Sequence, residues 1–166
     1  MTGPASGDEE AARALVLAWY RRARTAQEAH ARAAARARTT FLLLGIPPVV
    51  LGLVAGSALA ADAFAGHRWV IALVSLLAAS LTALQTFLRL DDRRLAHETA
   101  SRRFGVVRRR LGELGALGLT DPDLRARLDE VREEYDQTSA GSPQVPPRIW
   151  AAQKAADATY VPPELV

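Results

Sequence analysis

Two apolar runs, residues 41–61 (FLLLGIPPVVLGLVAGSALAA) and 69–88 (WVIALVSLLAASLTALQTFL), contain no charged side chain and are separated by only seven residues. As helix, about 20 residues extend about 30 Å, the thickness of a bilayer's hydrocarbon core. The pattern predicts a transmembrane helical hairpin with a short polar link at 62–68. The alternative, a hairpin buried at the centre of a soluble bundle, needs apolar protein around both helices. The rest of the chain is Arg/Ala-rich amphipathic helix with too little apolar surface to supply it.

The overall hydrophobic content of 49% conceals this, because the apolar residues sit mid-chain and the charges at both ends. Net charge is +3, and arginine supplies every positive side chain except Lys154. The arginines flank the apolar runs: Arg21, Arg22, Arg24, Arg32, Arg36 and Arg38 before, and Arg89, Arg93, Arg94, Arg102, Arg103 and Arg108 to Arg110 after. Placed there they favour anionic headgroups over nucleic acid as a partner, and a lipid membrane is the partner expected. The positive-inside bias puts both termini in the cytoplasm and the link, with its single Arg68, outside, so the expected location is multi-pass in the plasma membrane. Trp69 stands where an interfacial aromatic would. There is no cysteine, which excludes a disulfide framework, a thiolate metal site and a cysteine nucleophile. The first apolar run lies behind a long charged segment and exceeds a signal-peptide core, so no cleaved signal is expected.

In chain order, residues 1–8 read as a disordered tail. An amphipathic helix over 9–40 follows, with Ala12, Leu15, Trp19, Ala23, Ala26, His30, Ala33 and Ala37 on one stripe, running directly into the first span. Within that span Gly45-Ile46-Pro47-Pro48 is expected to interrupt regular helix, because proline lacks a donor and clashes with the carbonyl one turn back. Pro47 and Pro48 are a candidate hinge, against the simpler reading of a kink that suits packing. Gly52-x-x-x-Gly56 forms a small-residue face for helix packing. Ser75, Ala79 and Ala83 form a similar ridge on the second span. Ser75, Ala78, Thr82, Gln85 and Arg89 share another stripe, suited either to hydrogen bonding with a neighbouring helix or to lining a pore.

No stop signal follows Leu88, so the second span is expected to continue unbroken as a helix over 89–117. Its apolar stripe comprises Leu90, His97, Ala100, Phe104, Val107, Leu111 and Leu114. His30 and His97 lie eleven residues before and nine residues after their spans, roughly 13–16 Å below the membrane on helices of 1.5 Å rise. They are expected to face each other or a shared polar partner, as a packed structural pair or as a pH sensor. Metal binding would require ligands that the spacing does not provide. Asp121 and Pro122 open a helix over 122–139 ending at Gly141. An extended Pro-rich linker leads to a last helix over 147–159 carrying Ile149 and Trp150, and 161–166 is a tail. The fold class expected is therefore an all-α membrane protein: a two-helix transmembrane hairpin whose helices extend into a cytoplasmic helical stalk, with two further C-terminal helices packed on it.

Taken together, several features resemble the SLATT family, the SMODS and SLOG-associating two-transmembrane effectors of bacterial nucleotide-linked conflict systems. They are Trp19 and His30 on a cytoplasmic helix, the hairpin, His97 and Phe104 on the returning helix, Glu133 and Tyr135, then Ser142-Pro143 and Pro146-Pro147 before a helix. The resemblance spans residues 11–159 and rests on architecture rather than a catalytic signature. It implies a single domain over 9–160 and a homo-oligomer that forms a pore or disrupts the inner membrane, working with a nucleotide-signalling or sensor protein encoded nearby. The opposing expectation is a passive anchor or scaffold for a soluble partner. An enzyme is not expected: there is no Gly-rich phosphate loop, and His30, His67 and His97 lack a paired serine or metal-ligand spacing. No cofactor is expected either. A transporter fits less well, because neither span carries a deep charge. Arg108-Arg109-Arg110 suits a solvated or headgroup-facing patch better than a phosphate ligand.

Overall fold

A computed structural model describes residues 7–60, 68–117, 123–158 and 160. The calls on residues 1–6, on the link 62–67 with His67, on Asp121 and Pro122 and on 161–166 lie outside them. The described residues form five helices and no strand: α1 (Gly7–Ala60), α2 (Arg68–Leu88), α3 (Leu90–Leu117), α4 (Leu124–Ala140) and α5 (Pro147–Asp157). The chain divides into two compact units, Ala35–Leu95 and the described residues on either side of it.

In the flanking unit, α1 offers a face of small residues and α3 a face of large ones. Ala23, Ala26, Ala29 and Ala33 are buried on α1, opposite Phe104, Val107, Leu111 and Leu114 of α3. Side chains this short let two helices approach closely, so the bulky residues of α3 fill the space between them. Val16, Val107 and Leu111 are buried almost completely, worth about 1.5–3 kcal/mol each. The α1 stripe is rotated slightly from the one read in the sequence: Val16 and Tyr20 are in the core, whereas Leu15 is 49% exposed. Leu124 and Val131 on α4, seven residues apart, join the cluster, and Thr138 continues the seam one heptad further. α4 begins at Leu124 with Asp123 at the cap position and no side-chain cap bond, later than the start expected at 122. α5 begins at Pro147 as expected, since proline suits a first helical turn, and ends at Asp157.

In the other unit, α1 and α2 run antiparallel: Gly45 of α1 meets Gln85 of α2, and Phe41 lies beside residues 85, 86 and 89 to 92. The more enclosed face of α1 is Leu44, Gly45, Pro48, Leu51 and Ala55; that of α2 is Ile71, Val74, Ala78, Leu81, Gln85 and Leu88. Among the described residues between 42 and 87, thirteen large apolar side chains are exposed, including Leu53 at 77% and Phe87 at 83%. Both helices are long and apolar enough to cross a membrane, and only 11% and 6% of their most apolar windows are buried. A buried core hairpin would be enclosed instead, so that reading does not describe this chain.

α1 continues as helix through Pro47 and Pro48. Two consecutive prolines remove two donors, and Pro48 is buried on the face towards α2, where packing holds the helix together. One backbone expectation is corrected: the second span does not run on unbroken as a helix over 89–117. α2 and α3 are separated by Arg89, whose φ of 46° lies in the left-handed region. There the Arg89 N–H donates to the Thr86 carbonyl at 3.3 Å, and the Arg89 carbonyl accepts from the Arg93 N–H at 3.1 Å. One helix closes and the next opens around a single residue.

An arginine in this conformation costs about 1–2 kcal/mol that glycine avoids. Arg89→Gly is therefore expected to raise the stability of the protein in detergent by about 0.5–1 kcal/mol, after the glycine's larger unfolded-state entropy is included. A rise in the thermal midpoint relative to Arg89→Ala, which keeps a Cβ, is the measurement.

Candidate functional site

The flanking unit brings its two histidines together. His30 is the last large residue of the alanine face of α1, and His97 stands at the start of the buried stripe of α3. Both are buried, and their Nδ1 atoms lie 3.0 Å apart. Such a bond needs unlike tautomers: one ring carries hydrogen on Nδ1 and donates, while the other carries it on Nε2 and accepts. The His30 ring stacks on Phe104 with centroids 5.5 Å apart, and Phe104 meets Tyr135 edge-on, which meets Trp19 in turn. Burial, reinforced by the charge His97 would carry, lowers the His30 pKa from 6.5 to about 4. Burial also lowers that of His97. Tyr135 is moved the other way, principally by burial. A cleft of about 300 Å³ opens beside this group, lined by His30, Phe104, Tyr135, Ser142, Gln144 and Trp150. Among the described residues no cluster of three His, Asp or Glu side chains could hold a metal ion.

The second polar centre was not read in the sequence. α5 buries Gln153 and Asp157, one helical turn apart, rather than Ile149 and Trp150; Trp150 is 38% exposed. The Asp157 carboxylate accepts from Thr25 Oγ1 at 2.9 Å and from Gln153 Nε2 at 2.9 Å, and pairs with Arg24 Nη1 at 3.0 Å. Arg24 also lies over the Tyr160 ring at 3.4 Å, and Arg21 Nε donates to the Tyr160 carbonyl. α5 is thus anchored by a charge rather than by an apolar stripe. The signal available in sequence was the lone acidic residue of the segment, Asp157, facing an arginine-rich helix.

On the hairpin the expected polar stripe divides. Gln85 lies on the inner face against Gly45, where an added Cβ would stand 2.8 Å from Gln85 Nε2. Gly45 therefore leaves room for that amide, a role hidden in sequence by the prolines beside it. Ser75 and Thr82 face outward, and the Thr82 hydroxyl donates to the Ala78 carbonyl of its own helix at 3.0 Å. Gly52 and Gly56 also face outward, with nothing within 4 Å of an added Cβ, so this ridge is not the contact between α1 and α2. Arg89 Nη2 pairs with Asp92 at 2.7 Å. In the flanking unit Arg110 pairs with Glu134 at 2.9 Å, both partly exposed, a surface contact worth little.

No family model, characterised protein or solved structure matches this chain. The functional reading accordingly rests on the chain's own geometry.

Two outcomes follow. An unfolded histidine protonates below about pH 6.5, whereas folded His30 resists until about 4, so the unfolded state gains protons first as pH falls. Stability is expected to fall through that window by on the order of 2 kcal/mol. Thermal midpoints from pH 7.5 to 4.5 should show the fall, and His30→Gln should flatten it. Separately, Asp157→Ala leaves Arg24, Thr25 and Gln153 without their common acceptor, and should cost about 2–4 kcal/mol. Limited proteolysis within α5, faster than in the parent, would register it.

Proposed function

We propose that this chain is a two-span membrane protein, with both termini in the cytoplasm, whose copies assemble and breach the bilayer. In this reading it is an effector of the SLATT type, released by a partner sensor or nucleotide signal. The observation that carries the reading is the outward apolar surface of α1 and α2. It has the length and continuity of a bilayer-spanning belt, and no part of its own unit covers it. Assembly is supported by the outward Gly52 and Gly56 ridge, which offers a close helix contact to another copy. An opening is supported by Ser75 and Thr82, which lie on the same outward side of α2 two turns apart. The Thr82 hydroxyl is compatible with lipid while bonded to its own helix, and both hydroxyls with water when copies surround them. Gln85 has the different role of holding the two helices together.

The anchor reading draws on the flanking unit, where the partly exposed Trp150 and its neighbouring cleft offer a place for a soluble protein. Leakage separates the two. Purified protein reconstituted in dye-filled liposomes is expected to release dye when its signalling partner's product is added. The Ser75→Leu, Thr82→Leu double variant should insert and assemble but release little. Insertion without release under any trigger would leave the anchor standing, together with loss of partner capture on Trp150→Ala.

A further inference from the structure

The break at Arg89 does more than separate two helices. It sits directly after the last apolar residue of α2, and beside it is a cleft of about 360 Å³ lined by Phe41, Gln85, Thr86, Arg89, Asp91 and Asp92. That volume lies in the range of small-ligand sites. If α2 spans the hydrocarbon core, this cleft lies at the level of the lipid headgroups, and every polar group in it belongs to the unit that contains the spans.

The charges in the cleft are of both signs and close together. Arg89 donates through Nε and Nη2 to the same oxygen, Oδ2 of Asp92, at 2.7 Å in each case. A guanidinium has five N–H donors, so this pairing leaves donors for a second anion. Asp91 accepts from Arg94 Nε through Oδ1 at 3.0 Å, and a carboxylate has lone pairs beyond that bond. The site therefore offers donors for an anion beside carboxylate acceptors for a cation, and Gln85 and Thr86 complete its polar lining. Arg89 combines a left-handed φ of 46° with an ion pair to Asp92, three residues on.

We infer that this cleft binds the headgroup of a zwitterionic lipid with a primary amine, of the phosphatidylethanolamine kind. The phosphate lies on Arg89 and the ammonium on Asp91 and Asp92. Phosphatidylcholine fits less well, because its quaternary nitrogen has no N–H to donate to a carboxylate. Phosphatidylglycerol fits less well because it brings negative charge to two carboxylates and no cation. The inference rests on the bilayer reading of the hairpin, and it adds which lipid the hairpin selects.

The test reconstitutes the full chain in bilayers containing equal parts of the ethanolamine, choline and glycerol lipids. Vesicle flotation and resistance to alkaline extraction come first. Protein that stays in the aqueous phase overturns both the bilayer reading and this site. For inserted protein, lipids retained after gentle detergent release are counted by native mass spectrometry. The expected result is about fivefold enrichment of the ethanolamine lipid over the others, the order of one charge-assisted contact at each end. Arg89→Gly keeps the left-handed turn while removing the guanidinium, and should return retention to the bulk ratio. Asp91→Asn with Asp92→Asn should shift retention towards the glycerol lipid, since the phosphate site stays and the repulsion goes. Inserted protein that retains all three lipids equally, or variants that retain them as the parent does, overturns the headgroup site and leaves the bilayer reading intact.

Discussion

The exposed apolar surface of α1 and α2 is the constraint on which the rest depends. Water opposes a surface of that extent, and hydrocarbon opposes any unpaired backbone group. A helix meets the second demand, because its N–H and C=O groups pair within the segment. α1 continues through Pro47 and Pro48. Once the flanking backbone must stay paired, two missing donors are tolerated, and Pro48 contributes by packing against α2. The inner face then needs little: Gly45 makes room, and Gln85 fills it with a side-chain amide.

The flanking unit is organised on different terms. Its α1 face is built largely from alanine, which brings α3 close but supplies little apolar area per residue. The balance is made with aromatic contacts and buried polar groups. Trp19, Tyr135, Phe104 and His30 form a connected series of rings, and His97 closes it through a nitrogen-to-nitrogen bond. Asp157 joins three partners on two helices. Buried polar groups of this kind give fixed positions rather than large net energies, because desolvation offsets much of what the bonds supply. They also make the unit sensitive to acid, since a shared bond between two neutral rings cannot survive both being protonated.

Arg89 marks the junction between the apolar hairpin and the charged chain that follows. Its backbone closes α2 and opens α3 while its side chain turns back to Asp92. A glycine would adopt the same turn more easily. The presence of arginine there places a charge and a cleft of mixed sign at the end of α2.

What the sequence determined by itself follows from periodicity and length. The two apolar runs, the all-helical class and the buried stripe from Leu90 to Leu114 could all be read from spacing, because rise and residues per turn are fixed by the backbone. Tertiary structure decided what depends on which face meets a neighbour. It placed Val16 rather than Leu15 in the core, turned Gly52 and Gly56 outward, separated Gln85 from Ser75 and Thr82, and anchored α5 through Asp157. It also set the break at Arg89, where nothing in local propensity disfavours helix. A left-handed arginine is held by the partners around it, and those partners exist only once the chain has folded.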